Sequence, residues 1–168
     1  MDTRTLGSTG HDVSEVGFGA WQIGADWGEV AESEATATLH AAADAGVTFF
    51  DTADVYGDGR SERLVGQVLR ERADPALVVA TKMGRRAEQT VENYSPEHLR
   101  AWNDRSRENL GVETLELVQL HCPPTPVYSD DRVFDVLDTL VQEGRAASYG
   151  SAYTSSTRSI AATNPALA

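Results

Sequence analysis

The feature that most constrains the fold is a repeated alternation of short apolar runs with longer amphipathic stretches. Five runs begin at residues 16, 47, 77, 115 and 146, so the unit recurs every 30 to 38 residues. Runs that are apolar on both faces indicate buried strands, and amphipathic stretches of about ten to sixteen residues between them indicate helices. The alternation predicts right-handed βαβ units and a parallel sheet.

Local signals set the expected element boundaries. The Ser8-Thr9-Gly10 sequence predicts an N-terminal hairpin, Ser61 and Ser95-Pro96 are interpreted as helix N-termini, and Gly111 is interpreted as a helix stop. The predicted strands are 16–19, 47–50, 77–81, 115–120 and 146–149. The predicted helices are 32–45, 61–69, 96–110, 133–141 and 156–162.

A period near 30 residues is typical of either a doubly wound sheet or a (β/α) barrel. No linker or low-complexity segment divides the chain, so we predict a single domain over residues 1–168. A (β/α)8 barrel typically needs about 250 residues. If the chain is a barrel of the TIM type, five strands and four to five helices make that barrel incomplete, and its sheet cannot close alone.

Composition excludes several classes of function. A net charge of -12 and the absence of any basic cluster longer than Arg85-Arg86 argue against binding to nucleic acid or to an anionic membrane. Cys122 is the only cysteine, which excludes an intrachain disulfide and indicates a reducing compartment. The polar N-terminus lacks the apolar segment of a signal peptide. We expect a soluble, cytoplasmic protein.

Four side chains with useful chemistry follow the ends of predicted strands. Asp51 ends the second strand and Tyr56 lies just beyond it, while Lys82 and His121 end the third and fourth strands. Lys82 is also the only lysine in a chain with 14 basic residues. Since the carboxyl ends of parallel strands share one edge, we expect the four side chains to lie close together at that edge, which we call the mouth.

Together, these groups predict a proton-transfer site. A carboxylate at Asp51 favours the charged form of Lys82, and the ammonium in turn favours tyrosinate, which would lower the pKa of Tyr56. Tyr56 could then donate a proton near neutral pH, and a neutral His121 could donate a hydrogen bond to a carbonyl oxygen. No side chain delivers hydride, so a reduction at this site would require a cofactor.

Several sequence strings resemble the signature of the aldo-keto reductase family. They are Gly17-Phe18-Gly19-Ala20-Trp21, the stretch from Asp51 to Gly57 followed by Ser61-Glu62, Val79-Ala80-Thr81-Lys82, and Leu117-Val118-Gln119-Leu120-His121. The resemblance extends from about Leu6 to Thr154. It implies a (β/α)8 barrel and nicotinamide-dependent reduction of a small aldehyde or ketone, usually with NADPH.

The resemblance also implies residue roles. Tyr56 matches the general acid, Lys82 and Asp51 its tuning pair, and His121 the group that orients the carbonyl. The cofactor contacts that it implies are Gly19, Ala20, Trp21, Asp51 and Ser151. Ser151 directly follows Gly150, where the family usually has an apolar residue between the glycine and the serine. The late loops that in this family hold the adenine ribose and the phosphates would lie beyond Ala168.

The sequence also allows other folds and functions. A half-barrel could persist as a homodimer with a structural or regulatory role, since pairing would cover its open edges. A flavodoxin-like protein is less consistent with an acid, an amine and an imidazole at the strand ends. A calcium loop from Asp54 is rejected because Tyr56 and Val65 occupy positions that require carboxylates, and no metal site is predicted.

The remaining candidates receive minor roles. Cys122 is interpreted as a packed residue in preference to a nucleophile, and Trp102 as part of the core. Trp21 and Trp27 are expected to line a pocket, and Arg85-Arg86 to form a solvated loop.

Overall fold

The computed structural model describes residues 1–24 and 28–152 of the chain. Trp27 and the predicted helix 156–162 lie outside the described residues. The helices are α1 (Glu32–Asp44), α2 (Arg60–Arg72), α3 (Pro96–Leu110) and α4 (Asp131–Gln142). The strands are β1 (Thr3–Thr5), β2 (Asp12–Ser14), β3 (Phe18–Gly19), β4 (Phe49–Asp51), β5 (Val78–Met83), β6 (Leu117–His121) and β7 (Tyr149–Ala152). Short 3-10 helices cover Gln22–Gly24, Val91–Asn93 and Thr125–Ser129.

Strand topology confirms the predicted α/β class. β1 and β2 form an antiparallel hairpin, and the other five strands form one parallel sheet in chain order, β3-β4-β5-β6-β7. Each strand therefore pairs with the next one along the chain, as in a (β/α) barrel. In the part of the chain that the structure describes, the sheet is open between β3 and β7, so the barrel is incomplete as predicted.

The core lies between the sheet and its helices. Consecutive helices pack on one another, α1 on α2, α2 on α3 and α3 on α4. Because the helices cover one sheet face and the barrel interior is the other, the central strand β5 is buried along its whole length. Trp102 is buried in α3, as predicted. Side chains that fill this core include Leu39, Phe50, Val65, Val79, Leu99, Val118 and Leu137.

All five predicted strands have different bounds in the structure, by one or two residues for the first four and by three for the last. The first was predicted from Val16, but Val16 is 58% exposed and only Phe18–Gly19 pairs, with Phe50 and Asp51. The last was predicted over 146–149, whereas β7 covers Tyr149–Ala152 and Ala146 forms only an isolated bridge to Leu115. After the buried Tyr149, β7 consists of the small residues Gly150, Ser151 and Ala152, so its strand character comes from pairing with β6 and not from apolar periodicity.

Two of the three predicted helix ends are confirmed. Ser95 caps α3 by accepting a hydrogen bond from the N–H of His98, and Gly111 ends α3 with a positive φ of 69°, both as predicted. Ser61 is not a cap, because α2 begins one residue earlier, after Gly59. The Ser61 hydroxyl is fully buried and donates to the carbonyl of Ala20. This hydrogen bond joins the loop after β3 to α2.

Candidate active site

Strand register explains why three of the four predicted side chains meet. Asp51 pairs with Ala80, and Lys82 lies two residues beyond Ala80 on the same strand. Lys82 in turn pairs with Gln119, and His121 lies two residues beyond it. Because side chains alternate between sheet faces with a period of two, all three project from the same face at the carboxyl edge.

Lys82 forms the central ion pair of the mouth. Its Nζ atom lies 2.6 Å from Oδ2 of Asp51 and donates a second hydrogen bond of 2.8 Å to the carbonyl of Thr52. The Lys82 side chain is only 8% exposed, against 34% for Asp51. The amine is thus fixed by two short hydrogen bonds, while the carboxylate keeps one side open to the mouth.

Tyr56 lies over the lysine, in contact with two further aromatic groups. The centre of its ring is 5.2 Å from Lys82 Nζ, within the range of a cation–π contact. His121 packs edge-on against the ring at 5.8 Å between centroids, and Trp21 stacks on it at 6.2 Å with an angle of 28° between planes. The structure therefore brings the four predicted side chains together in one cluster.

The loop after Tyr56 has an unusual backbone. Gly57, Asp58 and Gly59 all have positive φ values, of 57°, 51° and 84°. A side chain at Gly57 would collide with the backbone of Gly24, so the position requires glycine. Asp58 bears a β-carbon in this strained region, and its carboxylate accepts from Arg86 at 2.8 Å and from Arg105 at 2.7 Å. These contacts fix the loop that carries Tyr56.

His121 is held in its neutral form. Burial, with the nearby positive charges of Lys82 and Arg85, lowers the pKa of His121 to about 4. The residue is 6% exposed, and its buried Nδ1 atom has no hydrogen-bond partner among the described residues. A neutral imidazole has one donor and one acceptor nitrogen, so the ring can offer an N–H to a carbonyl oxygen at any physiological pH.

A second polar layer lies behind the mouth, on the helix side of β5. Glu62 of α2 is fully buried and accepts from the Thr81 hydroxyl at 2.6 Å and from the Asn109 amide at 2.8 Å. Thr81 precedes Lys82, so it projects from the opposite face of the strand. Glu62 thereby ties the strand that carries the lysine to both α2 and α3.

Asp54 is a buried carboxyl group close to the same layer. Burial and, secondarily, the Glu62 carboxylate raise the pKa of Asp54 to about 7, against the opposing charges of Arg86 and Arg105. Neither side-chain oxygen has a hydrogen-bond partner within residues 1–24 and 28–152. Its backbone N–H donates to the carbonyl of Lys82 at 3.1 Å, which links the Tyr56 loop to β5.

The predicted cofactor contacts occupy different environments. Gly19 is exposed, pairs with Asp51 and has open space where a side chain would be. Ala20 is fully buried and both of its backbone groups bond within the chain, the N–H to Asp51 and the carbonyl to Ser61. Trp21 is 42% exposed. The Ser151 hydroxyl lies in β7, 2.8 Å from the Tyr128 hydroxyl.

Within the described residues, no three histidine, cysteine, aspartate or glutamate side chains group as metal ligands would. None of the described helices has the length and apolar character needed to cross a bilayer.

Cys122 lies in a tight turn with a φ of 52°. Arg85 is exposed, as expected for a loop, whereas Arg86 bonds Asp58 and the carbonyl of Asp54.

Sequence reasoning missed three residues around the site. Glu62 appeared only as part of a family string, Asp54 received no role, and Gln89 was not mentioned. The amide of Gln89 donates to the backbone carbonyls of His121 and Cys122, each at 2.9 Å. Glu62 lies three and seven residues before Val65 and Leu69, so an acid on the apolar stripe of α2 is a usable signal, whereas a loop glutamine such as Gln89 carries none.

Comparison with known proteins agrees with this geometry. The profile of the Aldo/keto reductase family matches residues 15–164, which is most of the chain. The chain belongs to the aldo-keto reductase family. It is 37% identical to L-galactose dehydrogenase of Arabidopsis thaliana over 156 residues, a match that covers 89% of this chain and 48% of the plant protein.

Solved structures of aldo-keto reductases share the fold. The holo form of an aldo-keto reductase from Bacillus halodurans matches 92% of this chain and 51% of its own, with a TM-score of 0.79 and 30% identity. An aldo/keto reductase from Klebsiella pneumoniae, solved in complex with NADP and acetate, has a TM-score of 0.70 and 25% identity over 84% of this chain and 46% of its own. The chain spans about half the length of the curated relatives that it matches.

Proposed function

We propose that this aldo-keto reductase chain supplies the catalytic residues for NADPH-dependent reduction of an aldehyde or ketone to an alcohol. The observation that carries the proposal is the position of the Lys82 ammonium, 2.6 Å from the Asp51 carboxylate and 5.2 Å from the centre of the Tyr56 ring. A phenol beside a fixed cation can release a proton because the cation stabilises the phenolate that remains.

The proposed roles follow from the contacts. Tyr56 gives its hydroxyl proton to the carbonyl oxygen as that oxygen gains negative charge, and Lys82 stabilises the resulting phenolate. Asp51 holds Lys82 in place. His121, neutral and edge-on to Tyr56, donates a hydrogen bond that orients the carbonyl oxygen. Trp21, stacked on the Tyr56 ring, covers one side of the substrate.

A nicotinamide cofactor fits the mouth on two observations. Open space at Gly19 adjoins the partly exposed carboxylate of Asp51, and the exposed Trp21 offers a flat surface beside it. Bound there, NADPH would supply the hydride that no side chain can. Gly19, Trp21 and Asp51 would hold its nicotinamide end. Ala20 and Ser151 are the two other proposed contacts, although their polar groups already bond within the chain.

The choice of cofactor rests on relatives. One matched structure was solved with NADP, and the family resemblance favours NADPH over NADH. The carbonyl substrate is proposed only as a small aldehyde or ketone. Cytoplasmic location also stays a prediction, as does the alternative of a homodimeric half-barrel. Family membership favours the enzyme over that alternative.

The decisive assay compares two tyrosine variants of the 168-residue chain. NADPH consumption with 4-nitrobenzaldehyde is measured for the wild type, Tyr56→Phe and Tyr149→Phe. Tyr149→Phe also removes one tyrosine hydroxyl, but the hydroxyl of Tyr149 donates to Asp138 of α4 and lies outside the four-residue cluster. We expect Tyr56→Phe to lower kcat by about 10²- to 10⁴-fold, the usual contribution of a general acid, and Tyr149→Phe to keep it within a few-fold. Equal rates for wild type and Tyr56→Phe would refute the proposal.

Cofactor binding is measured separately. Titration with NADPH, followed by quenching of tryptophan fluorescence, should saturate for the wild type and for Tyr56→Phe alike, because the hydroxyl is proposed to act in the chemical step. Failure of the wild-type chain to bind would contradict the assignment of the cofactor site to Gly19, Trp21 and Asp51.

A further inference from the structure

The turn that follows β6 is strained and is held from two sides. Cys122 has a φ of 52°, a left-handed conformation that a residue with a β-carbon rarely adopts. Its N–H donates to the carbonyl of Ala152 in β7 at 2.8 Å. The carbonyls of His121 and Cys122 both accept from the side-chain amide of Gln89, at 2.9 Å each. Such a conformation persists only where the surroundings over-determine it.

Gln89 reaches this turn from the segment between β5 and α3. The side chain is half-buried, and its amide nitrogen also lies 3.4 Å from the hydroxyl of the buried Tyr94. Since both carbonyls can only accept, the nitrogen of the amide must be the atom that faces them. The Asn93 amide donates to the carbonyl of Glu88 at 2.8 Å, which fixes the backbone beside Gln89.

The imidazole of His121 lacks the hydrogen bond that usually orients a functional histidine. In many sites the second ring nitrogen bonds a carboxylate or a carbonyl. Here the buried Nδ1 has no such partner in residues 1–24 and 28–152. The direction of the ring toward Tyr56 must therefore come from packing and from the backbone of the turn.

We propose that Gln89 is a positioning residue for His121, acting through the backbone of the His121–Cys122 turn. By holding both carbonyls it keeps the strained turn closed and the ring buried and edge-on to Tyr56. The inference rests on the proposed function, because a fixed ring is useful only if it orients a carbonyl. It adds to that function a residue that does not contact substrate or cofactor.

Loss of the Gln89 amide should alter the environment of the imidazole. The groups that face the ring are Lys82 of β5, Arg85 of the following loop and the Tyr56 ring. With the turn released, water reaches the ring and its burial no longer disfavours the charged form. The pKa of His121 should then rise from about 4 toward its ordinary value of 6.5.

The test is a histidine titration by NMR. The ring C–H resonances of the four histidines are followed from pH 8 to pH 3.5 in the wild type, Gln89→Met and Glu88→Gln. The variant His121→Phe identifies the resonance of His121. Methionine preserves the length of Gln89 without a donor, and Glu88 is an exposed neighbour on the same segment, so Glu88→Gln is the matched control.

We expect the His121 midpoint to rise by at least one pH unit in Gln89→Met and to stay at the wild-type value in Glu88→Gln. An unchanged midpoint in a folded Gln89→Met chain, with circular dichroism equal to that of the wild type, would overturn the proposal. If Gln89→Met does not fold, Gln89→Ala supplies the same comparison. An equal shift in Glu88→Gln would also overturn it, because the effect would then belong to the segment and not to the amide.

The titration of His121 can be measured whether or not the chain turns over substrate. An inactive wild type with a shifted midpoint in Gln89→Met would refute the proposed function and keep the role of Gln89 in fixing the ring. In an active chain, Gln89→Met should lower kcat about tenfold or more while the KM for NADPH stays unchanged. If Gln89 only stabilised the fold, Gln89→Met would lower the stability of the chain but would not lower kcat while the KM for NADPH stayed unchanged.

Discussion

The two sides of the mouth are built in different ways. On the β4–β5 side, Lys82, Thr81 and the buried Glu62 form short hydrogen bonds of 2.6 to 2.8 Å in which a charged group takes part. On the β6–β7 side, neutral groups hold the chain: the amide of Gln89 donates to the His121–Cys122 turn, and the hydroxyls of Tyr128 and Ser151 bond each other. The first side lies inside the sheet and the second lies at its edge.

How firmly a side chain of the mouth is held depends on how deeply it is buried. A buried charged group is costly unless it is hydrogen-bonded, and Lys82 and Glu62 each have two hydrogen-bond partners. A neutral hydroxyl at an edge can lose its partner to water at little cost. Substitutions should therefore be costly on the first side and mild on the second.

The largest effect is expected from Glu62→Ala. The substitution leaves the Thr81 hydroxyl and the Asn109 amide without their acceptor and opens a cavity, so it should lower the free energy of unfolding by about 3 to 5 kcal/mol. Urea denaturation followed by circular dichroism measures the change. Glu71→Ala, a substitution of an exposed carboxylate on the same helix, is the control and should cost far less. Similar costs for the two variants would contradict the interior role of Glu62.

The pH dependence of stability should have opposite signs on the two sides. The folded pKa of Asp54, about 7, lies above its ordinary 3.8, so the folded state holds the proton more tightly and stability falls as pH rises from about 4 to 7. The folded pKa of His121, about 4, lies below its ordinary 6.5, so stability falls as pH drops from 6.5 to 4. The two contributions partly cancel in the wild type.

Single substitutions should separate the two contributions. Between pH 4 and pH 7.5, the stability of Asp54→Asn relative to wild type should rise by about 2 to 4 kcal/mol, and that of His121→Phe should fall by about 2 to 3 kcal/mol. Urea denaturation at pH 4, 5.5 and 7.5 measures both. Differences that do not vary with pH would show that neither group has the shifted pKa.

The smallest effect is expected at the edge. Ser151→Ala and Tyr128→Phe each remove one side of a neutral hydrogen bond, so each should cost about 0.5 to 1.5 kcal/mol. The double variant should cost less than the sum of the two, because only one bond is lost. A cost near that of Glu62→Ala would contradict the contrast between interior and edge.

Sequence predicted the bounds of the central strand β5 more closely than those of the last strand β7. β5 is a continuous apolar run with both faces buried, so its signal is strong and its bounds, Val78–Met83, lie close to the predicted 77–81. β7 consists of Tyr149, Gly150, Ser151 and Ala152, a stretch without apolar periodicity. Its strand conformation depends on the hydrogen bonds that β6 offers, which no pattern within the stretch records.

The candidate site was predictable only in part, for a similar reason. Chemical identity at a strand end is visible in the sequence, and that is how Asp51, Lys82 and His121 were found. Gln89 lies about thirty residues before the turn that it holds, and no periodicity connects the two. The same is true of the Ser61 hydroxyl, which resembles a helix cap in sequence but bonds the carbonyl of Ala20 across 41 residues.

Local sequence sets the order of strands and helices, the side-chain types at the strand ends and the negative overall charge. These properties depend on residue type and on the periods of 2 and 3.6, which are local. Other properties arise only from tertiary packing. Strand register places the side chains of Asp51, Lys82 and His121 on one sheet face. Packing also buries Asp54 and His121, which shifts their pKa values, and it brings the amide of Gln89 to the His121–Cys122 turn. Those properties depend on distances between distant parts of the chain, and such distances exist only once the sheet and helices have packed.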